Sequence, residues 1–371
     1  MPQIKANGID IEYESFGQDN AEAILLIMGL GAQLTQWPLE LCDLLVARGY
    51  RVIRFDNRDA GLSTRMERDR AFAFSDVFFA FAAGKSAFAP YSLSDMAGDA
   101  VGLLDALDLR AAHIVGASMG GMIAQHVAAD FPDRTLSLTS IMSSSGNPML
   151  PPPRPRVLSL FMSHGSSHDV EAVIAKGIKT YEVIGSPGFP TDAATLREWV
   201  ERDAARAYYP QGVMRQMAAV LSDGDRRSLL RKIDVPCVVL HGRDDPLVPV
   251  AAGEDTAFNI KDADLRIIDG MGHDMPLALI PQIADAIVSA AERATGVQVM
   301  AEAAQSEPVA AAVAEVVSDA VAAIRAVVMP EAREAAAEVK PRGGRVRQWW
   351  TRQRGRLNKI GIPSLSRNSR P

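Results

Sequence analysis

Between residues 23 and 269, six short, continuous apolar runs alternate with segments of helical period: Ala23 to Met28, Arg51 to Asp56, His113 to Ser118, Thr135 to Met142, Val235 to Gly242 and Leu265 to Asp269. A strand that is apolar along its length has to be covered on both faces. Helices on the two sides of a mostly parallel sheet meet that demand, so an α/β fold of this kind is expected. A hairpin should open the chain, because Gln3 to Ala6 and Ile9 to Tyr13 flank Asn7-Gly8, a pair that tolerates the positive φ angles of a tight turn. Ser92-Leu93-Ser94-Asp95 reads as a capping box for a helix over Met96 to Leu107, and Met119 to Phe131 reads as a second helix. The alternation breaks between Gly146 and Leu221, where Pro148, Pro151, Pro152, Pro153 and Pro155 precede helical stretches rich in Met, Tyr and Phe. An insertion placed there, between two sheet strands, suits a cap over a crevice.

With 371 residues, 48% of them hydrophobic, the chain can bury a large core, which excludes a wholly disordered or fibrous protein. Its formal net charge of -6 is unevenly spread, since residues 340–371 hold ten Lys/Arg and no acid and leave -16 on the rest. Beyond about residue 296 the composition shifts to fifteen alanines between Val297 and Val339, with Val309, Val313, Val316, Val317, Val321, Ile324, Val327 and Val328 at helical spacing before Pro330. The boundaries expected are therefore 1–145 and 226–296 for the two parts of the sheet domain, 146–225 for the cap, 297–339 for an Ala-rich helical or linker segment, and 340–371 for a disordered basic tail. Cys42 and Cys237 fall in a helical and a strand-like segment and suggest no disulfide framework. With no charged region leading into an apolar run at the start, and no run of roughly 18 apolar residues, a cytoplasmic location is expected, peripheral membrane association remaining open.

Gly116-Ala117-Ser118-Met119-Gly120 has the form G-x-S-x-G, with the strand-like Ala112 to Val115 before it and a helix-period run after it. A serine on so tight a turn projects its Oγ from the strand end, and only small residues two before and two after it avoid a clash. Two partners follow in order. His241-Gly242-Arg243-Asp244-Asp245-Pro246 comes after the strand Val235 to Leu240, and Gly270-Met271-Gly272-His273-Asp274 comes after Leu265 to Asp269. In an open parallel sheet the carboxyl ends of the strands share one edge, so serine, acid and histidine can converge there. The histidine would accept the serine proton while a carboxylate holds the imidazole tautomer.

These pieces resemble the α/β-hydrolase family over roughly residues 8 to 295, together with Leu26-Ile27-Met28-Gly29-Leu30-Gly31 after an early strand and Asp56-Asn57-Arg58-Asp59-Ala60-Gly61-Leu62-Ser63 after the next. The Met-Gly-Leu-Gly and Gly-Met-Gly-His-Asp-Met-Pro runs are most similar to the esterase-like branch that includes aclacinomycin methylesterase and non-haem chloroperoxidase-like hydrolases. The resemblance implies an α/β-hydrolase fold with a small helical cap, with Ser118 as nucleophile, His273 as general base and acid, and Asp245 as the orienting carboxylate. Asp244 is the competitor, but the family spacing H-G-x-x-D runs from His241 to Asp245. The oxyanion hole would use the backbone N–H groups of Leu30 and Met119. Met28 departs from the family's usual histidine at that place. A serine nucleophile excludes the family chemistries that need a carboxylate nucleophile, leaving acyl transfer to water. The expected function is a cofactor-free serine hydrolase of carboxylic esters, acting on a small, apolar ester. The alternatives are a carbon–carbon bond hydrolase, a perhydrolase, or a catalytically silent ligand sensor on the same fold.

Other signals are weaker. Arg58 and Asp59 read as a turn held by its own hydrogen bonds, against an anion-binding pair. His164 and His168 lack a third ligand for a metal, and no nucleotide or cofactor motif is present. Tyr181, Phe189, Trp199 and Tyr209 either line an apolar pocket or pack the underside of the cap. Trp349 and Trp350 among the arginines of the tail suit an anionic membrane surface better than nucleic acid, and a solvated tail equally well.

Overall fold

The computed structural model describes residues 2–66, 89–162 and 169–305. Eight strands form one sheet: β1 (Gln3–Ala6), β2 (Ile9–Phe16), β3 (Glu22–Ile27), β4 (Tyr50–Phe55), β5 (Ala112–Ala117), β6 (Thr135–Ile141), β7 (Cys237–Gly242) and β8 (Asp264–Ile268). Their order is β1-β2-β4-β3-β5-β6-β7-β8, with β1 and β2 antiparallel to their neighbours and the remainder parallel. Asn7 and Gly8 both take positive φ, 48° and 80°, at the expected hairpin turn.

Alternate residues of the central strands feed two cores. On β3, Leu25 and Ile27 face one and Ile24 and Leu26 the other, all fully buried. The first core is covered by α2 (Leu93–Ala106) and α3 (Met119–Asp130), the second by α1 (Leu39–Ala47) and α10 (Ile280–Gln305). Each buried Leu or Ile contributes about 1.5 to 3 kcal/mol, so this double coverage is what makes uninterrupted apolar strands stable. The Ser92/Asp95 capping box starts α2: each side chain bonds the other's backbone N–H.

Between β6 and β7 lie α4 (Pro155–Met162), α5 (Val170–Ile184), α6 (Ala193–Arg206), α7 (Pro210–Asp223) and α8 (Arg227–Leu230); α9 (Ala251–Asn259) follows β7. Tyr181 and Trp199 meet edge to face at 6.3 Å, joining α5 to α6. The contacts divide the chain into Met1–Val299 and Met300–Pro371; the sheet, the insertion and the helices that cover the sheet, α10 as far as Val299, belong to the first unit. Among the described residues no helix is long and apolar enough to cross a membrane. The periodic segment 309–328, the basic tail and the His164/His168 pair lie outside the described residues.

Candidate active site

The parallel strands end in step. Ile27 pairs with Gly116, Ala117 with Ile141, Ile141 with Leu240 and Gly242 with Ile268, so the loops after β3, β5, β7 and β8 leave from one edge. Ser118 stands between β5 and α3 at φ 55° and ψ -120°, a conformation that an L-residue holds only when its surroundings impose it. The glycines of the motif make the imposition possible. A Cβ on Gly116 would lie 2.1 Å from the Gly120 carbonyl oxygen, and one on Gly120 would lie 2.0 Å from that of Ile27. The Ser118 N–H donates to the Ile141 carbonyl at 2.9 Å and Ser143 Oγ–H donates to the Ser118 carbonyl at 2.8 Å, anchoring the turn from β6.

His273 reaches this serine from the loop after β8. Its Nε2 is 3.0 Å from Ser118 Oγ and its Nδ1 is 2.7 Å from Asp245 Oδ2. The Asp245 side chain is fully buried, and its other oxygen accepts the Leu247 and Val248 N–H groups at 2.8 Å each. With the carboxylate fixed as acceptor, the shared proton belongs on Nδ1, which leaves Nε2 free to accept from the serine hydroxyl. Asp244 faces elsewhere, accepting the Gly270 N–H at 2.9 Å. Such a relay can move the Ser118 proton to the imidazole while Asp245 compensates the charge that forms. The neighbouring His241 donates from Nε2 to the Val248 carbonyl at 2.8 Å, bracing the Asp245 loop, and burial pushes its pKa below the usual imidazole range.

Leu30 lies in the loop after β3, and Met119 is the first residue of α3. Among the described residues neither backbone N–H has a hydrogen-bond partner, so both are available as donors at the edge where Ser118 stands. A Cβ on Gly29 would lie 3.2 Å from that of Ser118, which places the loop directly against the serine. Met28, where the family has histidine, is buried in the second core, and its carbonyl accepts from Asn57 Nδ2 at 2.8 Å.

The inserted helices are tied to this edge. The His273 N–H donates to the Ile184 carbonyl at 2.7 Å. Ser186 Oγ accepts the Gly272 N–H at 2.9 Å and donates to Asp274, whose carboxyl is pushed up to about 6 by burial and by the nearby charge of Asp245, against the pull of Ser186 and His273. Arg215 of α7 grips Asp59 through two bonds of 2.7 and 2.8 Å, and Tyr91 donates to the same carboxylate at 2.8 Å. Arg58 is paired with Asp99 at 2.6 Å. Both members of the Arg58-Asp59 pair are thus engaged within the protein, but by partners on distant elements, Asp99 of α2 and Arg215 of α7, rather than by each other as the reading of a self-bonded turn expects. Sequence reasoning missed the bonds made by Asn57, in the loop after β4, by Ser186, just past α5, and by Arg215 and Gln216 of α7; a polar residue in a loop or on an inserted helix carries no periodic or spacing signal of which group it will meet.

Among the described residues no cluster of three His, Cys, Asp or Glu is placed to hold a metal ion. The two cysteines are free and buried, and burial raises each thiol to about 12.

The sequence profile described as alpha/beta hydrolase fold matches residues 22–277. The chain is 29% identical to rhodomycin D methylesterase DnrP of Streptomyces peucetius over 76% of this chain and 95% of that protein. It is 31% identical to the putative carbamate hydrolase RutD of Variovorax paradoxus, over 71% of this chain and 89% of that one. Among solved structures, a meta-cleavage product hydrolase from Pseudomonas fluorescens IP01 superposes with a TM-score of 0.61 at 18% identity, covering 79% of this chain and 98% of its own.

Proposed function

This chain belongs to the alpha/beta hydrolase fold family, and from that premise we propose that it is a cofactor-free serine hydrolase that cleaves carboxylic esters through an acyl-enzyme on Ser118. The observation that carries the reading is the continuous Ser118–His273–Asp245 contact, at 3.0 and 2.7 Å, on a serine held at positive φ. The similarity to a methylesterase supports esters as the substrate class.

In this reading Ser118 Oγ attacks the ester carbonyl as its proton passes to His273 Nε2. The tetrahedral oxyanion rests on the Leu30 and Met119 N–H groups, each worth on the order of 2.7 to 4 kcal/mol of barrier. Collapse breaks the bond to the alcohol, which leaves with the proton from His273. A water then gives its proton to the same nitrogen, attacks the acyl carbon, and the acid departs as Ser118 recovers its proton. Every step uses side chains and main-chain groups of this chain alone. The inserted helices serve as the cap, and the substrate is a small, apolar ester. The similarity to a putative carbamate hydrolase keeps a second acyl substrate class in view.

The test is turnover of a p-nitrophenyl ester series by the full chain and by Ser118→Ala. Loss of kcat/KM by about four orders of magnitude with an unchanged melting curve is expected; turnover retained by Ser118→Ala would refute the reading. A separate proposal follows from Trp349, Trp350 and the ten Lys/Arg beyond residue 339: the tail attaches an otherwise cytoplasmic enzyme to an anionic membrane surface.

A further inference from the structure

Gln216, fully buried on α7, joins two backbone segments that sequence distance keeps apart. Its Oε1 accepts the Gly31 N–H at 2.7 Å and its Nε2 donates to the Arg58 carbonyl at 2.7 Å. Both partners are main-chain groups of fixed role, so the orientation of the amide is set: its carbonyl faces a donor and its NH2 an acceptor. The Gly31 N–H is one peptide beyond that of Leu30. On the other side of Leu30, the Met28 carbonyl is held by Asn57 Nδ2 at 2.8 Å. Gly31 itself turns at φ 67°, with so little room that a Cβ there would meet Val213 Cγ2 of α7 at 2.8 Å. The strand-end loop is therefore clamped on both sides of Leu30, once from the body by Asn57 and once from the inserted helix by Gln216.

We infer that Gln216 is a positioning residue for the oxyanion hole: it orients the Leu30 N–H through the Gly31 peptide, so that the donor is aligned only when α7 is seated on the sheet edge. The inference rests on the reading of Leu30 as an oxyanion donor. α7 is seated by the neighbouring Arg215–Asp59 grip, so one helix carries both the fastener and the aligning group. A donor displaced by even about 1 Å forfeits most of its preference for the tetrahedral state, whereas binding of the planar ester is scarcely affected. Gln216 should thus act on kcat and leave KM alone.

The experiment compares the full chain with Gln216→Leu and Gln216→Glu. Glu has the same shape; protonated, it reproduces both bonds, but ionised it sets a carboxylate oxygen against the Arg58 carbonyl. With p-nitrophenyl acetate, Gln216→Leu is expected to lose about 10- to 100-fold in kcat with KM within threefold, and affinity for a trifluoromethyl ketone, which forms a tetrahedral adduct on serine, should fall in parallel. Gln216→Glu should recover activity relative to the unmodified chain as pH falls. Amide hydrogen exchange over residues 28–34 reads the loop independently of turnover: the Gly31 N–H should be protected in the full chain, exchange at least tenfold faster in Gln216→Leu, and be protected again in Gln216→Glu at low pH. A raised KM with unchanged kcat, or Gly31 exchange equal in all three proteins, would overturn the inference. Absence of turnover in the unmodified chain would count against the ester-hydrolase reading instead, leaving the exchange result to decide this one.

Discussion

At Asp274 the sign of a pH effect can be worked out from the packing. Burial raises its carboxyl to about 6, above the roughly 3.9 of an unfolded aspartate. The folded state therefore holds the proton more tightly, and the stability this contributes is fully present below pH 4 and is lost as pH rises through 6. Two units correspond to an upper figure of about 3 kcal/mol. Asp274→Asn, which imitates the protonated form and still accepts from Ser186, should flatten urea-unfolding stability between pH 4 and 7 and be the more stable protein at pH 7. An unchanged pH slope would show that the carboxyl is not strained. Gly120→Ala makes a harsher demand, since the added carbon would sit 2.0 Å from the Ile27 carbonyl. A loss of about 3 kcal/mol or more in urea unfolding is expected, because the clash is with backbone that cannot turn aside.

Among the elements, α7 matters most to the edge of the sheet, and its hold is electrostatic. The Arg215 guanidinium and the Asp59 carboxylate are both buried and bonded in pairs. Removing one partner strands a charge, so Arg215→Met should cost about 3 to 5 kcal/mol of stability, measured by denaturant titration. The strands were legible because an apolar run buried on both faces leaves a one-dimensional trace: the expected runs at 135–142 and 265–269 overlap β6 (Thr135–Ile141) and β8 (Asp264–Ile268). Ser118, Asp245 and His273 were legible as positions because each follows the carboxyl end of such a strand. The pairings that fix the insertion left no trace. Gln33 to Asp203, Asp59 to Arg215 and Gly31 to Gln216 span more than 150 residues, and nothing local in a sequence records which polar side chain will meet which backbone group.

For the whole molecule, the family fold brings four strand-end loops to one edge, and the chemistry proposed for the chain depends on that convergence rather than on any one motif. The charge asymmetry of the sequence adds a separable expectation. A chain ending at Val339 should hydrolyse esters as the full chain does but no longer sediment with vesicles containing phosphatidylserine; equal sedimentation of the two would remove the membrane proposal. The central claim is that folding activates one serine. Treating the native protein with a fluorophosphonate and mapping the adduct by peptide mass spectrometry, with heat-denatured protein as control, addresses it most directly. The account predicts a single adduct at Ser118, absent from the denatured sample and from His273→Ala. A native protein unlabelled at Ser118, or labelled there equally well after denaturation, would contradict it.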